Sequence, residues 1–267
     1  MNKYKIKRII TNIATIFLIL LIITIFFNNN QIIKENSKIE TQKIIKNIDD
    51  IPEYAGEICI DLNNNIPYFA DSELTLEVFE NYSDLDELGR CGVAYANICK
   101  ELMPKEGDTR IRLSYKPTGW HQAFYNNGDV LYNRCHLIAW QLGNENENIC
   151  NLITGTSSLN AAMNEWEILV GNWVRSEARK GNNYHVLYRV TPDFRGDNLV
   201  ANGVEIEAKS VEDNGKGICF NKYIYNIQEG FEIDYATGRS KQIVDAIKSA
   251  KSRRRLMFSF YAGSKEK

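Results

Sequence analysis

Apolar residues change their spacing several times along this chain, and each change marks a different kind of segment. Residues 9–27 form an apolar run without a charged side chain, broken only by Thr11, Asn12, Thr15 and Thr24. As a helix rising about 1.5 Å per residue it would span roughly 28 Å, close to the roughly 30 Å hydrocarbon core of a bilayer. Residues 28–50 are polar, rich in Asn, Lys, Glu and Gln, which predicts a linker or partly helical stalk. Folded structure is expected from about Ile51 onward. Residues 66–69 and 74–79 read as short strands. Residues 84–102 read as a helix capped by Asp84, with Leu85, Leu88, Val93, Ala96 and Leu102 on one face, although Gly89 and Gly92 interrupt it.

The second half of the pattern is clearer. Ile111, Leu113 and Tyr115 alternate with Arg112 and Ser114, the period of a half-buried strand. The turn Asn127-Gly128-Asp129 predicts a strand that begins at Val130 and delivers Arg134 and His136 at its end. A polar loop over 143–151 leads to a helix over 159–180, where Leu159, Met163, Trp166, Leu169, Val170 and Trp173 recur at helical spacing and Gly181 stops the run. Residues 184–190, 199–211, 218–227 and 231–235 then read as strands, predicting a mainly antiparallel sheet and an α+β fold. A terminal helix over 241–251 runs into Arg253, Arg254 and Arg255, a basic patch followed by Phe258, Phe260 and Tyr261.

Composition narrows the picture in three ways. A hydrophobic content of 44% in 267 residues allows a sizeable core. The formal net charge of -2 excludes the overall basic excess of a typical nucleic-acid-binding module, so attraction to phosphate would have to be local. Lys3, Lys5, Lys7 and Arg8 flank the apolar run on its N-terminal side, and no small-residue cleavage pattern follows it. These features predict an uncleaved transmembrane signal anchor, the N-terminus cytoplasmic and everything after residue 30 outside; a cleaved segment would instead release a secreted protein. The six cysteines, Cys59, Cys91, Cys99, Cys135, Cys150 and Cys219, permit up to three disulfides in that compartment and equally fit free buried thiols.

Candidate chemistry is constrained by the presence of three histidines, His121, His136 and His185. His185 alternates within a strand pattern and reads as structural, while His121 ends a turn. His136 has Arg134 two positions before it and an asparagine-rich loop after it, the company expected of a base working near neutral pH beside a phosphate-binding cation. Asn160 at the front of the long helix is either an amide ligand for a hard cation or a first-turn capping residue. Glu167 lies about two turns further along the same face, as a group near the cation's waters or a solvated charge. The chain has no Walker-type phosphate loop, no HExxH zinc helix, no GxSxG elbow and no GxGxxG.

Asn133-Arg134-Cys135-His136, the run Asn151-Leu152-Ile153-Thr154-Gly155-Thr156, Asn160, and the later residues 184–192 together resemble the DNA/RNA non-specific endonucleases of the ββα-metal superfamily, including streptococcal-type deoxyribonucleases and membrane-anchored DNA-entry nucleases. The resemblance spans residues 51–238, with 1–30 as anchor, 31–50 as linker and 239–267 as C-terminal helix and tail. It implies a ββα-metal core with a catalytic helix and an antiparallel sheet. It further implies His136 as general base, Asn160 as magnesium ligand, Arg134 with Asn133 at the substrate phosphate, Asn151 as support, and Glu167 near the metal waters. The implied cofactor is Mg2+, with Mn2+ as a substitute. The implied substrate is DNA outside the cell, with RNA left open and 5′-phosphate ends as products. The wider family motif reads Asp-Arg-Gly-His, so Asn133 and Cys135 depart from it, and Cys135 introduces the possibility of redox sensitivity. Two rival readings share the fold: a non-catalytic DNA-binding or DNA-uptake receptor, and a nuclease toxin.

Overall fold

A computed structural model describes residues 47–125 and 128–243. The apolar run at 9–27, the stalk before residue 47, the expected helix beyond residue 243 and the arginine patch at 253–255 lie outside these residues. Among the described residues no helix is long and apolar enough to cross a membrane.

In chain order the elements are β1 (Cys59–Asp61), β2 (Glu80–Tyr82), β3 (Ala94–Ile98), β4 (Tyr132–His136), α1 (Trp140–Gly143), β5 (Leu152–Thr156), α2 (Ser157–Arg179), β6 (Val186–Pro192), β7 (Gly203–Ser210), β8 (Cys219–Tyr225), β9 (Phe231–Ile233) and β10 (Ser240–Gln242). Six of the strands form one antiparallel sheet in the order β1-β8-β7-β6-β3-β2, and β4 with β5 and β9 with β10 form two separate ribbons. The fold is therefore α+β, as the change of period from helical to alternating predicts.

Helix α2 starts where Thr156 caps it, its hydroxyl accepting from the Leu159 amide at 3.0 Å, and it ends at Lys180 before Gly181, whose φ of 86° only glycine adopts freely. Its apolar stripe of Leu159, Met163, Val170 and Val174 is buried against Val204, Ile206, Ala208, Phe220 and Ile224 from one face of the sheet. Each such side chain contributes roughly 1.5–3 kcal/mol by leaving water, so this contact fixes where the other face of α2 points.

The N-terminal half departs from its expected pattern. Residues 84–102 are not a helix. Asp86 accepts from the amides of Leu88 at 3.0 Å and Arg90 at 2.8 Å, Gly89 takes φ 76°, and the resulting turn leads into β3, where buried Ala94, Ala96 and Ile98 alternate with Tyr95 and Asn97. Of the apparent helical face only Ala96 belongs to this alternation; Leu85, Leu88, Val93 and Leu102 lie in the irregular segments on either side of the strand. Residues 66–69 and 74–79 form no strands, because side chains take the place of a neighbouring strand: Glu207 accepts from the Tyr68 amide at 2.6 Å, and Asn97 donates to the carbonyls of Thr75 and Glu77, each at 2.8 Å. Residues 111–115 join no ladder for the same reason, Glu147 accepting from the Ser114 and Tyr115 amides. Lys241 and Gln242, expected at the start of a helix, lie in β10.

All six cysteines are free thiols. Cys135 is wholly buried, and its sulfur fills the notch left by Gly155. A Cβ on Gly155 would come within 2.9 Å of Cys135 Cβ and closer still to its Sγ. Gly155→Ala is expected to destabilise the protein by roughly 1–3 kcal/mol of overpacking. Thermal melting should register it as a loss of several degrees that shrinks when Cys135→Gly is added; equal losses in both backgrounds would show that the collision is absent.

Candidate active site

The β4–β5 ribbon and α2 converge on one point. His136 closes β4 opposite Leu152, and the helix begins directly after β5 beside Tyr132 at the other end of the ribbon, then runs back along β4, past Asn133 at Ser157 and Cys135 at Asn160, toward His136. Asn151 braces the junction from inside. Fully buried, it accepts from the Ile138 amide at 2.8 Å and donates to the Ile138 carbonyl at 2.9 Å, which fixes the backbone just past His136. Between these elements lies a cavity of about 360 Å³ lined by Arg110, His136, Ala139, Trp140, Gln141, Asn160, Asn164 and Glu167.

His136 enters this cavity in one defined state. Its Nε2 lies 2.7 Å from the Asn146 carbonyl, which can only accept, so Nε2 carries the proton and Nδ1 keeps its lone pair. That Nδ1 faces the Arg110 guanidinium at 3.4 Å. Burial holds the imidazole below the usual histidine range, against the Asn146 hydrogen bond and aided by Arg110, and thereby keeps it neutral at neutral pH.

The helix contributes Asn160, Asn164 and Glu167, which lie together along one flank of the apolar stripe. Glu167 is 7% exposed, and burial pushes its carboxyl up to about 7, partly opposed by Gln141 at 3.5 Å and by the charge of Arg110. Cys135 donates its S–H to Asn160 Oδ1 at 3.2 Å; burial raises the thiol well above its ordinary range and keeps it a donor. Such burial leaves no accessible thiolate, which argues against the redox sensitivity considered from the sequence. The donor set suits a hard divalent cation: an amide oxygen, a carboxylate short of partners, and further amides, with no cluster of three His, Cys, Asp or Glu among the described residues. A cation held by so few protein ligands keeps most positions for water and substrate oxygens, as magnesium does.

The sequence places His136, Asn151, Asn160 and Glu167 together, and the structure brings these four to one site. Arg134 and Asn133 are placed differently. Arg134 does not line the cavity: its Nε donates to the Tyr115 carbonyl and its guanidinium lies 4.5 Å from the Trp120 ring centroid, so the cation at the cavity is Arg110 instead. Asn133 donates to Ser157 Oγ at 2.9 Å, joining the ribbon to the helix away from the cavity. Arg110, Trp140, Gln141 and Asn164 were not singled out from sequence. Asn164 is legible in retrospect, one turn from Asn160 on the same face, whereas Arg110 comes from an irregular segment that carries no local signal. His121 is exposed, and His185 is buried with Nδ1 2.6 Å from Glu212, a structural pair.

Residues 72–212, which include every residue of this cavity, match the profile of the DNA/RNA non-specific endonuclease family. The structure is similar to metal-free NucA from Streptococcus agalactiae at 27% identity and a TM-score of 0.61, over 73% of this chain and 92% of that one. It is similar to the same protein with magnesium ion bound at 28% identity and a TM-score of 0.57, over 68% and 85% of the two chains.

The raised carboxyl of Glu167 has a consequence for stability. Its folded value of about 7 exceeds the ordinary 4.5, so the folded state binds the extra proton between these limits and stability falls as pH rises through them. The loss is on the order of 3 kcal/mol, since each pKa unit corresponds to about 1.4 kcal/mol. Metal-free Glu167→Gln is therefore expected to melt above wild type at pH 8 and level with it near pH 4; a variant melting below wild type at pH 8 would overturn the assignment.

Proposed function

The chain belongs to the DNA/RNA non-specific endonuclease family, and is thus a metal-dependent nuclease that hydrolyses DNA; from that premise we propose that it uses magnesium, with His136 as general base and Asn160 as the protein's ligand to the ion. The observation that carries this reading is the orientation of His136: its protonated Nε2 is committed to Asn146, while the lone pair of Nδ1 opens onto the cavity that also holds Asn160 and Glu167.

In this mechanism Nδ1 takes a proton from the attacking water, for which a neutral imidazole is required and the lowered pKa of His136 provides it. Arg110 leaves Nδ1 for the scissile phosphate and offsets charge there as the water attacks. Asn160 and Glu167 would hold the magnesium ion and its waters, with Cys135 keeping the Asn160 carboxamide in place. When bound, the ion supplies positive charge at the phosphate and the leaving oxygen. Asn151 acts at a distance by keeping the backbone after His136 rigid. None of these roles uses a 2′-hydroxyl, so RNA is a second substrate wherever its shape fits the cavity. We further propose that the domain works outside the cell, tethered by residues 9–27, a reading supported by the basic flank and length of that run.

His136→Ala and Asn160→Ala are each expected to reduce plasmid nicking in magnesium by about 10²-fold or more while leaving the melting temperature within a few degrees of wild type. Full activity in either variant overturns the corresponding role. Wild-type protein that binds DNA in chelator but leaves it intact in magnesium would instead identify a non-catalytic receptor.

A further inference from the structure

Arg110 sits in the cavity, yet nothing in its own segment holds it there. From residue 104 to residue 120 the chain forms neither strand nor helix, and Arg110 and Arg112 are exposed. Backbone N–H groups in such a segment need partners from elsewhere, and here they come from one short loop. Glu147 Oε1 accepts from the Ser114 amide, from Ser114 Oγ at 2.7 Å and from the Tyr115 amide at 2.6 Å. Asn144 donates to Asp108 at 3.0 Å, and Asn146 Nδ2 lies 3.4 Å from the Ile111 carbonyl. From the opposite side Arg134 donates to the Tyr115 carbonyl while stacked on Trp120. Tyr115 is thus gripped at both ends of its peptide units, by a carboxylate at its amide and a guanidinium at its carbonyl.

We propose that Glu147 and Arg134 are positioning residues: they clamp the backbone at Ser114 and Tyr115 so that Arg110 is presented to the scissile phosphate beside His136. The proposal rests on the nuclease reading above and gives Arg134 a task that its location permits, in place of direct phosphate contact. Two features make the clamp more than a local staple. The loop residue between Glu145 and Glu147 is Asn146, whose carbonyl receives the His136 Nε2 proton, so one loop sets both the imidazole and the segment bearing Arg110. In addition, the bonds to a carboxylate are charge-assisted and point at consecutive amides, which fixes direction as well as distance. The hydrogen bonds from Ser114 and Tyr115 hold the Glu147 carboxyl below its ordinary range, so the clamp stays closed through mildly acidic pH.

Four measurements on the full chain separate this role from simple stabilisation. Glu147→Ala should lower kcat/KM on DNA by about tenfold or more, because small misplacements of a charge-stabilising group are costly. Arg110→Ala should cause a comparable loss, and adding Glu147→Ala to it should cause little further loss, since the clamp acts through that arginine. Glu147→Gln, which keeps an acceptor oxygen, should recover most of the activity. Trypsin should cut after Arg110 and Arg112 faster in Glu147→Ala than in wild type, while Arg110→Ala leaves the cut after Arg112 at the wild-type rate. Losses that multiply in the double variant, wild-type kcat/KM in Glu147→Ala, or an unchanged rate of cutting after Arg112 would each overturn the clamp. A wild-type protein inert on DNA would overturn the nuclease reading, and the trypsin comparison would still decide whether the segment is clamped.

Discussion

The hydrogen bond from His136 Nε2 to the Asn146 carbonyl is the constraint on which the site depends. An imidazole has two nitrogens that exchange roles, and a fixed acceptor behind one of them removes the ambiguity. Once Nε2 holds the proton, Nδ1 is the free acceptor, and it faces Arg110 and the cavity. The carbonyl is itself immobilised by its surroundings. Asn151 braces the chain on one side of the loop, and the bonds of Asn144, Asn146 and Glu147 to residues 108–115 brace it on the other. A backbone carbonyl thus performs the orienting task that a carboxylate performs in many other histidine sites, and it does so without raising the basicity of the ring by a full charge.

Stability and chemistry pull against each other on α2. The helix is held by an apolar stripe against the sheet, and this leaves the flank beside that stripe to carry groups that do not help folding. Glu167 is the clearest of these, a buried carboxyl with a weak amide partner at 3.5 Å, whose burial the charge of Arg110 offsets only in part. A protein selected for stability alone would neutralise or expose it. Retaining it beside Asn160 makes sense where a divalent ion supplies the missing charge, and the cost is one the large hydrophobic contact can absorb.

Cys135 shows how a departure from a family motif is accommodated. Where the wider motif has glycine, this chain places a thiol, and the space comes from Gly155 on the neighbouring strand. The thiol then gains a bond to Asn160, so the substitution adds a contact to the site without exposing a reactive group.

Residues 159–180 are legible as a helix because its period of 3.6 continues over six turns, and the strands after it because charged and apolar residues alternate along them even where both faces are buried. The same logic put Asn160 and Glu167 on one face and His136 at a strand end, since these relations are local. Residues 66–69, 74–79 and 111–115 depart from their expected strands because their backbone partners are side chains, Glu207, Asn97 and Glu147, between 20 and 139 residues distant, and such bonds impose no period on the sequence; within 84–102 the local Asp86 turn and the ladders of β3 replace the expected helix. By itself the sequence determined the α+β class, the long helix and four members of the site. Only the tertiary structure decided that Arg110 and not Arg134 faces the cavity, and which imidazole nitrogen is free, because both follow from contacts between segments whose meeting is set by packing.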